Sequence, residues 1–306
     1  MSAFIGNEAL RVLMLKFILS CLVVLTIAQP TIAKDYIKLG SWNIENLGER
    51  RWGQNRFALA EHIQLSGVDI LALQEIHDTN GPGAPFQNSK LEQVIELMNE
   101  RDGHEWKYKL FPKRIAEKTY QLCGVVWNSK RIQKVGDAWR IPLDHRDGSL
   151  WSRHPYAVKF KVPGKNDIVV ISIHMKANVR KDGDLDPVIR RANEAQTLAA
   201  TFDDIQKHFH DKDIVIIGDT NCLKSDEAAL KSLTDLGLKD LNANDTSTYV
   251  SGAPFDHILV PSEQPEFRFS RQYMLAPANT SEHDKYISDH MLIMTPIQIV
   301  DDDDGE

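Results

Sequence analysis

The chain has 306 residues, of which 42% are hydrophobic and 26% are charged, and it contains three cysteines. This composition is typical of a globular protein, and it excludes a collagen, a wholly disordered chain, a membrane protein with many spans and a disulfide-dense scaffold. Because the formal net charge is −7, the chain does not bind a polyanion by bulk positive charge, and local basic groups and a bound cation would have to attract one.

The N-terminal segment has the pattern of a secretory signal. Arg11 and Lys16 precede an apolar run over residues 17–28, and small residues end the segment at Ala33. The run is shorter than the roughly 20 residues that a membrane-spanning helix needs, and an uncleaved anchor is the alternative. We predict that residues 1–33 are a signal peptide cleaved after Ala33 and that the protein is secreted or periplasmic.

The predicted location bears on two of the three cysteines. An oxidising compartment would allow Cys123 and Cys222 to form a disulfide. Two separate buried thiols fit the sequence equally well, because free cysteine is among the most buried residue types.

No internal repeat and no linker rich in Pro, Gly or Ser divides the rest of the chain, so residues 34–300 are predicted to form one domain. Strand-like runs rich in Val and Ile recur along it, and several are apolar throughout, which is typical of strands covered on both faces. We predict strands at residues 36–44, 69–74, 120–128, 156–162, 168–174, 213–219, 255–260 and 291–299.

Helical patterns lie between only some of these strands. Apolar residues at helical spacing predict helices around residues 57–63 and 91–97, and Pro187 begins a third, since proline suits the first turn of a helix. Residues 164–167 predict a hairpin turn. The pattern indicates an α/β sandwich of stacked, mixed β-sheets with helices outside, followed by a disordered acidic tail at residues 301–306.

Polar side chains gather where the predicted strands begin or end. Carboxylates rarely lie beside apolar runs unless something pairs with them, and the strand ends of one sheet converge on one rim. A single such residue could be an ordinary turn or cap residue, but six clusters are harder to explain in that way. The clusters are Ser41-Trp42-Asn43-Ile44-Glu45-Asn46, Leu73-Gln74-Glu75, Ile173-His174-Met175-Lys176, Gly218-Asp219-Thr220-Asn221, Phe255-Asp256-His257 and Ser288-Asp289-His290.

The residue types in these clusters favour hydrolysis of a phosphate diester. Their carboxylates and amides are hard oxygen ligands and no cysteine is among them, so Mg²⁺, Mn²⁺ or Ca²⁺ fits better than a cysteine-bound zinc. His174 and His290 can accept and donate protons near neutral pH. A cation that neutralises a phosphate, a group that deprotonates water and a group that protonates the leaving oxygen together suit this reaction.

The same clusters, in this order, resemble the motifs of the endonuclease/exonuclease/phosphatase superfamily, of which deoxyribonuclease I is a secreted member. The resemblance covers Ser41 to His290, nearly the whole chain after the signal. It implies a four-layer sandwich in which helices flank two stacked mixed β-sheets. It also implies a metal-dependent phosphodiester hydrolase with Mg²⁺ as its cofactor, or Mn²⁺ or Ca²⁺ in its place.

The resemblance also implies which residues bind the metal and the substrate. Glu75 would be the principal metal ligand, helped by Asn43 and Asp289. Ser152-Arg153-His154-Pro155 resembles a stretch that contacts the substrate phosphate in the family, so Arg153 is a candidate phosphate clamp. Lys176 is a further candidate for substrate binding. A solvated surface base is the alternative interpretation of both.

The catalytic roles follow from the same resemblance. His290, oriented by Asp256, would be one acid–base histidine, and His174 would be the other. Asp219 and Asn221 would bind phosphate or metal and position the attacking water.

One position departs from the family's pattern. In enzymes that resemble deoxyribonuclease I, a glutamate on a neighbouring strand supports the first histidine, and a gapless alignment puts Gln121 near that place. A neutral amide stabilises an imidazolium less than a carboxylate does. Either the protonation role of His174 is open, or the alignment slips by one or two residues.

The fold alone does not choose the substrate, because members of the superfamily act on DNA, RNA, abasic sites, sphingomyelin and inositol phosphates. Family members that act on abasic sites carry a tyrosine at the position that resembles His174, and sphingomyelinases carry a glutamine at the position that resembles Lys176. Both positions point away from those substrates. We therefore predict an endonuclease that hydrolyses DNA, with RNA as a further substrate and no stable membrane association. A lipid phosphodiesterase and a nuclease-like toxin subunit or binding module are the alternatives, and protein partners stay open.

Overall fold

A computed structural model describes the chain over residues 36–48, 53–80, 86–100, 104–112, 121–143, 151–180 and 183–302. These residues belong to one compact unit that begins at Tyr36. The predicted signal peptide and residues 303–306 of the predicted tail lie outside the described residues. Asp301 and Asp302 are described, and each forms an ion pair with a lysine of the domain.

The described residues form twelve β-strands, which make two stacked sheets. Adjacent residues of a strand point to opposite faces of its sheet. In chain order the strands are β1 (Tyr36–Leu47), β2 (Ile70–His77), β3 (Trp106–Leu110), β4 (Gln121–Asn128), β5 (Gln133–Arg140), β6 (Tyr156–Lys161), β7 (Asp167–His174), β8 (Ile214–Asp219), β9 (Leu238–Asp240), β10 (Asp256–Pro261), β11 (Tyr273–Met274) and β12 (Ile293–Gln298).

Both sheets are mixed. The first has the spatial order β11-β12-β1-β2-β4-β3, and the second has the order β5-β6-β7-β8-β10-β9. Each contains one parallel pair, β1 with β2 and β7 with β8, and its other neighbouring strands are antiparallel. The sheets stack so that β1 lies over β8 and β12 over β10, and the edge strands β11 and β9 therefore lie on the same side.

Helices cover the outer faces of the two sheets, which gives four layers. Between the sheets, Leu39 and Ala72 of the first sheet pack with Val170 of the second in one apolar core. Leu71, the neighbour of Ala72, points outward, where it packs against helices, and Ile171 does the same on the second sheet. The helices in the described residues are α1 (Arg56–Ser66), α2 (Ser89–Asn99), α3 (Pro187–Ala199), α4 (Phe202–Phe209), α5 (Ala228–Thr234) and α6 (Thr280–Tyr286).

The predicted architecture is confirmed. All eight predicted strands are present, and β1 and β2 each extend three residues further than predicted. The three predicted helices are α1, α2 and α3, and Pro187 begins α3 behind Asp186, whose side chain accepts the N–H of Val188. The predicted hairpin turn joins β6 to β7. The four strands that were not predicted, β3, β5, β9 and β11, are the edges of the two sheets.

Cys123 and Cys222 are buried free thiols, so the structure has the second of the two alternatives that the sequence left open. Burial raises the pKa of each thiol to about 12.

No described helix combines the length and the hydropathy that crossing a bilayer requires.

Candidate active site

Three polar residues stand in one row across neighbouring strands of the second sheet. His174 ends β7, Asp219 ends β8 and Asp256 begins β10, and the register pairs Asp219 with both of the others. Gly218 lets β8 lie close to β7 at this point. Its φ is 149°, and a Cβ there would lie 2.0 Å from the carbonyl oxygen of Ile173. Any side chain at this position would push apart the two strands that carry the row.

The first sheet brings Asn43 and Glu75 to the same end. Asn43, on β1, is buried and donates its side-chain N–H to Oδ2 of Asp219 over 2.9 Å, which joins the two sheets. Glu75, on β2, has a φ of 61° and accepts the backbone N–H of Asn46 at 3.2 Å. Asn221, after β8, has a φ of 55° and donates its N–H to Oδ1 of Asp219 at 2.8 Å. Non-glycine residues with positive φ are uncommon and cluster at functional sites.

His290 and Asp256 form a hydrogen-bonded pair. Nδ1 of His290 lies 2.8 Å from Oδ2 of Asp256, which also accepts the Thr248 hydroxyl at 2.7 Å. Burial alone would lower the pKa of His290, but the carboxylates of Asp256 and Asp219 raise it to about 10. The imidazole is therefore charged at neutral pH, and its Nε2 lies 3.8 Å from Oδ2 of Asp219.

Side chains also hold the backbone of His290. Its N–H donates to the hydroxyl of Ser288 at 3.1 Å, and that hydroxyl donates to the carbonyl of Asn43 at 2.7 Å. Its carbonyl accepts two hydrogen bonds, from Nε1 of Trp42 at 3.1 Å and from Nε2 of His283 at 3.0 Å. These contacts fix His290 relative to β1, the strand that carries Asn43.

His174 has a different environment. Its Nε2 lies 3.4 Å from Oδ2 of Asp219 and 3.7 Å from Oε1 of Glu75, and its Nδ1 is buried with no hydrogen-bond partner among the described residues. Burial, together with the charges of Arg153 and His290, lowers the pKa of His174 well below its ordinary value. At neutral pH the site therefore holds one neutral histidine, His174, and one charged histidine, His290.

Burial also raises the pKa of the two carboxylic acids at the centre of the site. Asp219 is 1% exposed, and the positive charge of His290 offsets only part of the effect of burial. At Glu75 the charge of Arg153 and the nearby amide of Asn43 act against burial without cancelling it. Carboxylates in such surroundings favour a bound proton or cation over an unpaired negative charge.

The donor set around Glu75 fits a hard divalent cation. The Asn43 amide and the charge of Asp289 both act on the pKa of Glu75, so three oxygen-bearing side chains are close together. Within the described residues, no group of three or more His, Cys, Asp and Glu side chains could hold a metal ion. Mg²⁺ does not require such a cage, because it keeps several waters and binds through one or two carboxylates and the substrate's phosphates. Glu75, Asn43 and Asp289 can supply that kind of partial coordination.

The two predicted substrate-binding residues are placed differently. Arg153 lies beside the cluster, and its charge acts on the pKa of both Glu75 and His174. Its guanidinium donates to the side-chain oxygen of Gln121, and the side-chain N–H of Gln121 donates to Oδ1 of Asn46 at 2.9 Å, so this amide supports Arg153 and does not bond Nδ1 of His174. The ammonium of Lys176 donates to a backbone carbonyl three residues further on, at 2.7 Å. A substrate contact by Lys176 stays a prediction.

Several residues that hold the site were not singled out from the sequence. Thr248, in the irregular segment before β10, positions Asp256, and His283 holds the carbonyl of His290 from α6. Neither residue lies in a motif, and only the tertiary contact identifies it. Glu45 stood within a quoted motif; it has a φ of 47°, and its Oε2 accepts the N–H of Asp289 at 3.0 Å.

The fold and the site together define a class of protein: a two-sheet α/β sandwich with histidines, carboxyl groups and amides at the ends of its central strands. Residues 40–290 match the model of the Endonuclease/Exonuclease/phosphatase family. The chain belongs to this family. The matching region contains every residue of the cluster.

Individual relatives are distant in sequence. The chain is 22% identical over 183 residues to a deoxyribonuclease of Thioalkalivibrio sp. (strain K90mix), a match that covers 59% of this chain and 44% of that protein. It is 20% identical over 253 residues to human deoxyribonuclease-1-like 1, with 77% and 76% covered. The crystal structure of an endonuclease/exonuclease/phosphatase family protein from Bacteroides thetaiotaomicron has the same fold, with a TM-score of 0.59, 15% identity, and 87% and 98% covered. The chain therefore spans less than half the length of the first relative and about three quarters of the second.

Proposed function

We propose that the protein is a metal-dependent phosphodiester hydrolase, namely an endonuclease that cuts DNA, with RNA as a further substrate. One observation carries the proposal: the His290–Asp256 pair meets Asp219 and Asn43 at one end of the sandwich. Oδ2 of Asp219 lies 3.8 Å from Nε2 of His290 and 2.9 Å from the side-chain nitrogen of Asn43. Hydrolysis of a phosphate diester requires a proton donor, a proton acceptor and positive charge on the phosphate. The names of the two relatives support DNA as the substrate.

Two positive charges, a bound cation and Arg153, would hold the phosphate. A divalent cation bound by Glu75, Asn43 and Asp289 would neutralise charge on the scissile phosphate as the transition state forms. Arg153 lies close enough to Glu75 for its charge to lower the pKa of that carboxyl, and its guanidinium would hold a further phosphate oxygen, which it suits by shape and charge.

Protons would move between groups whose environments differ. Asp219 and Asn221 would orient the attacking water, and Asp219 would accept its proton, because burial raises the pKa of this carboxyl toward the range of a general base. The charged His290 would donate a proton to the leaving oxygen, with Asp256 holding its orientation. The neutral His174 lies 3.4 Å from Asp219 and could exchange a proton with it.

Incubation of the purified protein with supercoiled plasmid tests the proposal. Nicked and linear DNA should form with Mg²⁺ and should not form with a chelator. The matched control is His290→Ala, which should lose roughly 10² or more in rate with its circular dichroism unchanged; equal activity of this variant would indicate a contaminating nuclease. A parallel assay with sphingomyelin tests the alternative. Plasmid left intact in every metal condition, with lipid hydrolysed, would replace the nuclease by a lipid phosphodiesterase.

We also propose that the enzyme acts outside the cytoplasm, because residues 1–33 have the pattern of a cleavable signal. Cell fractionation and N-terminal sequencing of the expressed protein test this location. A mature N-terminus at residue 34 in the secreted or periplasmic fraction is expected. A cytoplasmic protein with its first residues intact would contradict it.

A further inference from the structure

A groove of about 640 Å³ lies along the side of the sandwich where the edge strands β9 and β11 are neighbours. The two strands form its sides, and segments from residues 241–248 and 270–272 complete it. None of the described residues that line the groove belongs to the proposed catalytic or cation-binding groups. The groove is therefore a separate candidate site.

The groove lies directly behind the catalytic pair. Thr248 lines the groove, and its hydroxyl donates to Oδ2 of Asp256 at 2.7 Å. Gln272 also lines it and donates its side-chain N–H to the carbonyl of Asp256 at 3.1 Å. The ring of Tyr249, next to Thr248 in the chain, lies 4.8 Å from the ring of His290. Residues that line the groove thus contact Asp256 directly, which makes the groove a neighbour of the site where a polymeric substrate would bind.

The groove has a net positive charge, although the whole chain has a net charge of −7. Lys239 and Arg271 line it and are exposed, and neither side chain forms an ion pair or hydrogen bond with any residue that the structure describes. Among the described residues of its lining Asp240 is the one acid, and both of its carboxylate oxygens lie within 3.0 Å of Nδ1 of His257. Lys239 and Arg271, which have no partner among the described residues, therefore face a groove whose carboxylate, Asp240, is paired with His257. This arrangement favours an anionic ligand.

Neutral groups in the groove suit the other parts of a nucleotide. The side chains of Asn244 and Thr246 are exposed and form no hydrogen bond within the described residues. Oε1 of Gln272 is buried and has no hydrogen-bond partner in the same part of the chain. Tyr273 is 53% exposed, which leaves its ring accessible to a flat ligand. Cations for phosphate, polar groups for base edges and an aromatic ring for stacking are the features by which proteins bind a nucleic-acid strand.

We propose that this groove binds the part of a nucleic-acid strand that continues beyond the scissile phosphate. Lys239 and Arg271 neutralise phosphates of that segment, and Tyr273 stacks against a base. The inference rests on the proposed nuclease function, because the ligand that joins the site to the groove is a polynucleotide. It adds a consequence: affinity rises with strand length, since a single nucleotide fills the active site and leaves the groove empty.

Direct binding tests the groove without cleavage. Fluorescence anisotropy of a labelled single-stranded oligonucleotide of about 12 nucleotides, measured in a chelator, compares the wild type with Lys239→Gln/Arg271→Gln. The matched control, Lys207→Gln/Lys231→Gln, removes the same charge from exposed positions on α4 and α5. The groove variant should bind roughly tenfold more weakly and lose about one unit of salt slope for each removed cation, while the control matches the wild type. Absence of binding by the wild type, or equal affinities in the two variants, would overturn the inference.

Hydrolysis separates the groove from the active site. Bis(p-nitrophenyl) phosphate is too small to reach the groove, so the groove variant should hydrolyse it with the kcat and KM of the wild type, whereas its KM for the oligonucleotide should rise roughly tenfold. Tyr273→Ala should weaken oligonucleotide binding without changing the salt slope, because stacking is not ionic. If the wild type cleaves no nucleic acid with any divalent metal, the proposed function fails. If it does cleave and the groove variant matches it on both substrates, only the groove fails.

Discussion

Two opposing effects set the pKa of His290, namely burial and the charges of nearby carboxylates. Burial lowers the pKa of His290, and Asp256, whose Oδ2 lies 2.8 Å from Nδ1, has the largest of the effects that raise it again. Asp256→Asn should therefore lower the pKa of His290 by about 1–3 units. The imidazolium then loses its proton at a lower pH, so the alkaline limb of the pH dependence of kcat should move down by the same amount. Thr248→Val is the control, because it removes a hydrogen bond to the same carboxylate and leaves the charge. An alkaline limb that stays in place would mean that His290 is not the proton donor.

Glu75 is the second residue whose charge can be tested alone. Its carboxyl is mostly buried. Of the side chains that would complete a cation site, Asn43 carries no charge and Asp289 is also partly exposed. Glu75→Gln keeps the shape of the side chain and removes the charge. The Mg²⁺ concentration for half-maximal activity should rise at least roughly tenfold, and excess metal should restore part of the rate. Titration of activity with metal measures this, with the exposed Glu61→Gln as control; an unchanged titration would exclude Glu75 as the principal ligand.

At this scale the sequence predicts residues that stand beside apolar strands and fails for residues that act from elsewhere. His174, Asp219 and Asp256 were found because a polar residue at the end of a buried strand is conspicuous in the sequence, and the register then sets them side by side. Thr248 and His283 lie in an irregular segment and on a short helix, and nothing in their local sequence indicates a partner. Thr248 acts through its contact with Asp256, and His283 acts through its contact with His290. Neither contact is visible in the sequence, because no local pattern marks it.

The same physical reason explains which strands were predicted. A central strand is covered on both faces, so it reads as a continuous apolar run, as β7 does with every one of its residues buried. An edge strand such as β5 is largely exposed, with the sequence Gln133-Lys134-Val135-Gly136-Asp137-Ala138-Trp139-Arg140, and polar edges also prevent association of sheets. β9 and β11 have three and two residues, too few for any pattern. The sequence therefore defines the central strands, and the edges appear only once the sheets are assembled.

Helix α6 contacts the candidate active site through a side-chain hydrogen bond that can be tested. His283 is buried, and its Nε2–H donates to the carbonyl of His290 at 3.0 Å. His283→Leu removes the donor and should lower kcat by about tenfold or more, because small displacements of a catalytic group are costly. His283→Gln can still donate and should recover most of the rate. Steady-state kinetics with circular dichroism on both variants measures the effect; equal losses in the two would assign His283 to packing alone.

Across the whole molecule, buried carboxyl groups occur at both ends of β8. Asp219 ends the strand in the active site, whereas Asp213 immediately precedes it at the opposite end of the sheet. Asp213 lies beside the carboxyl group of Glu266 and near the charge of Asp211, and it accepts a side-chain N–H from Gln264 at 3.0 Å. At the catalytic end a cation would compensate the buried acids. At the opposite end the compensation is a proton, because two neighbouring buried carboxyl groups cannot both ionise without repulsion.

This proton makes the stability of the protein depend on pH. Burial, with the nearby Glu266 and Asp211, raises the pKa of Asp213 far above its ordinary value. In the unfolded chain the same group ionises near pH 3.9, so above that pH the folded state binds the extra proton and the free energy of unfolding falls as pH rises toward the folded pKa. Asp213→Asn keeps an N–H donor toward Glu266 and needs no proton. The variant should exceed the wild type in stability at pH 8 by on the order of 1 kcal/mol, with the difference shrinking toward pH 4. Urea unfolding at both pH values, with the exposed Asp204→Asn as control, measures this; a difference that is the same at pH 4 and pH 8 would show that Asp213 does not hold the proton.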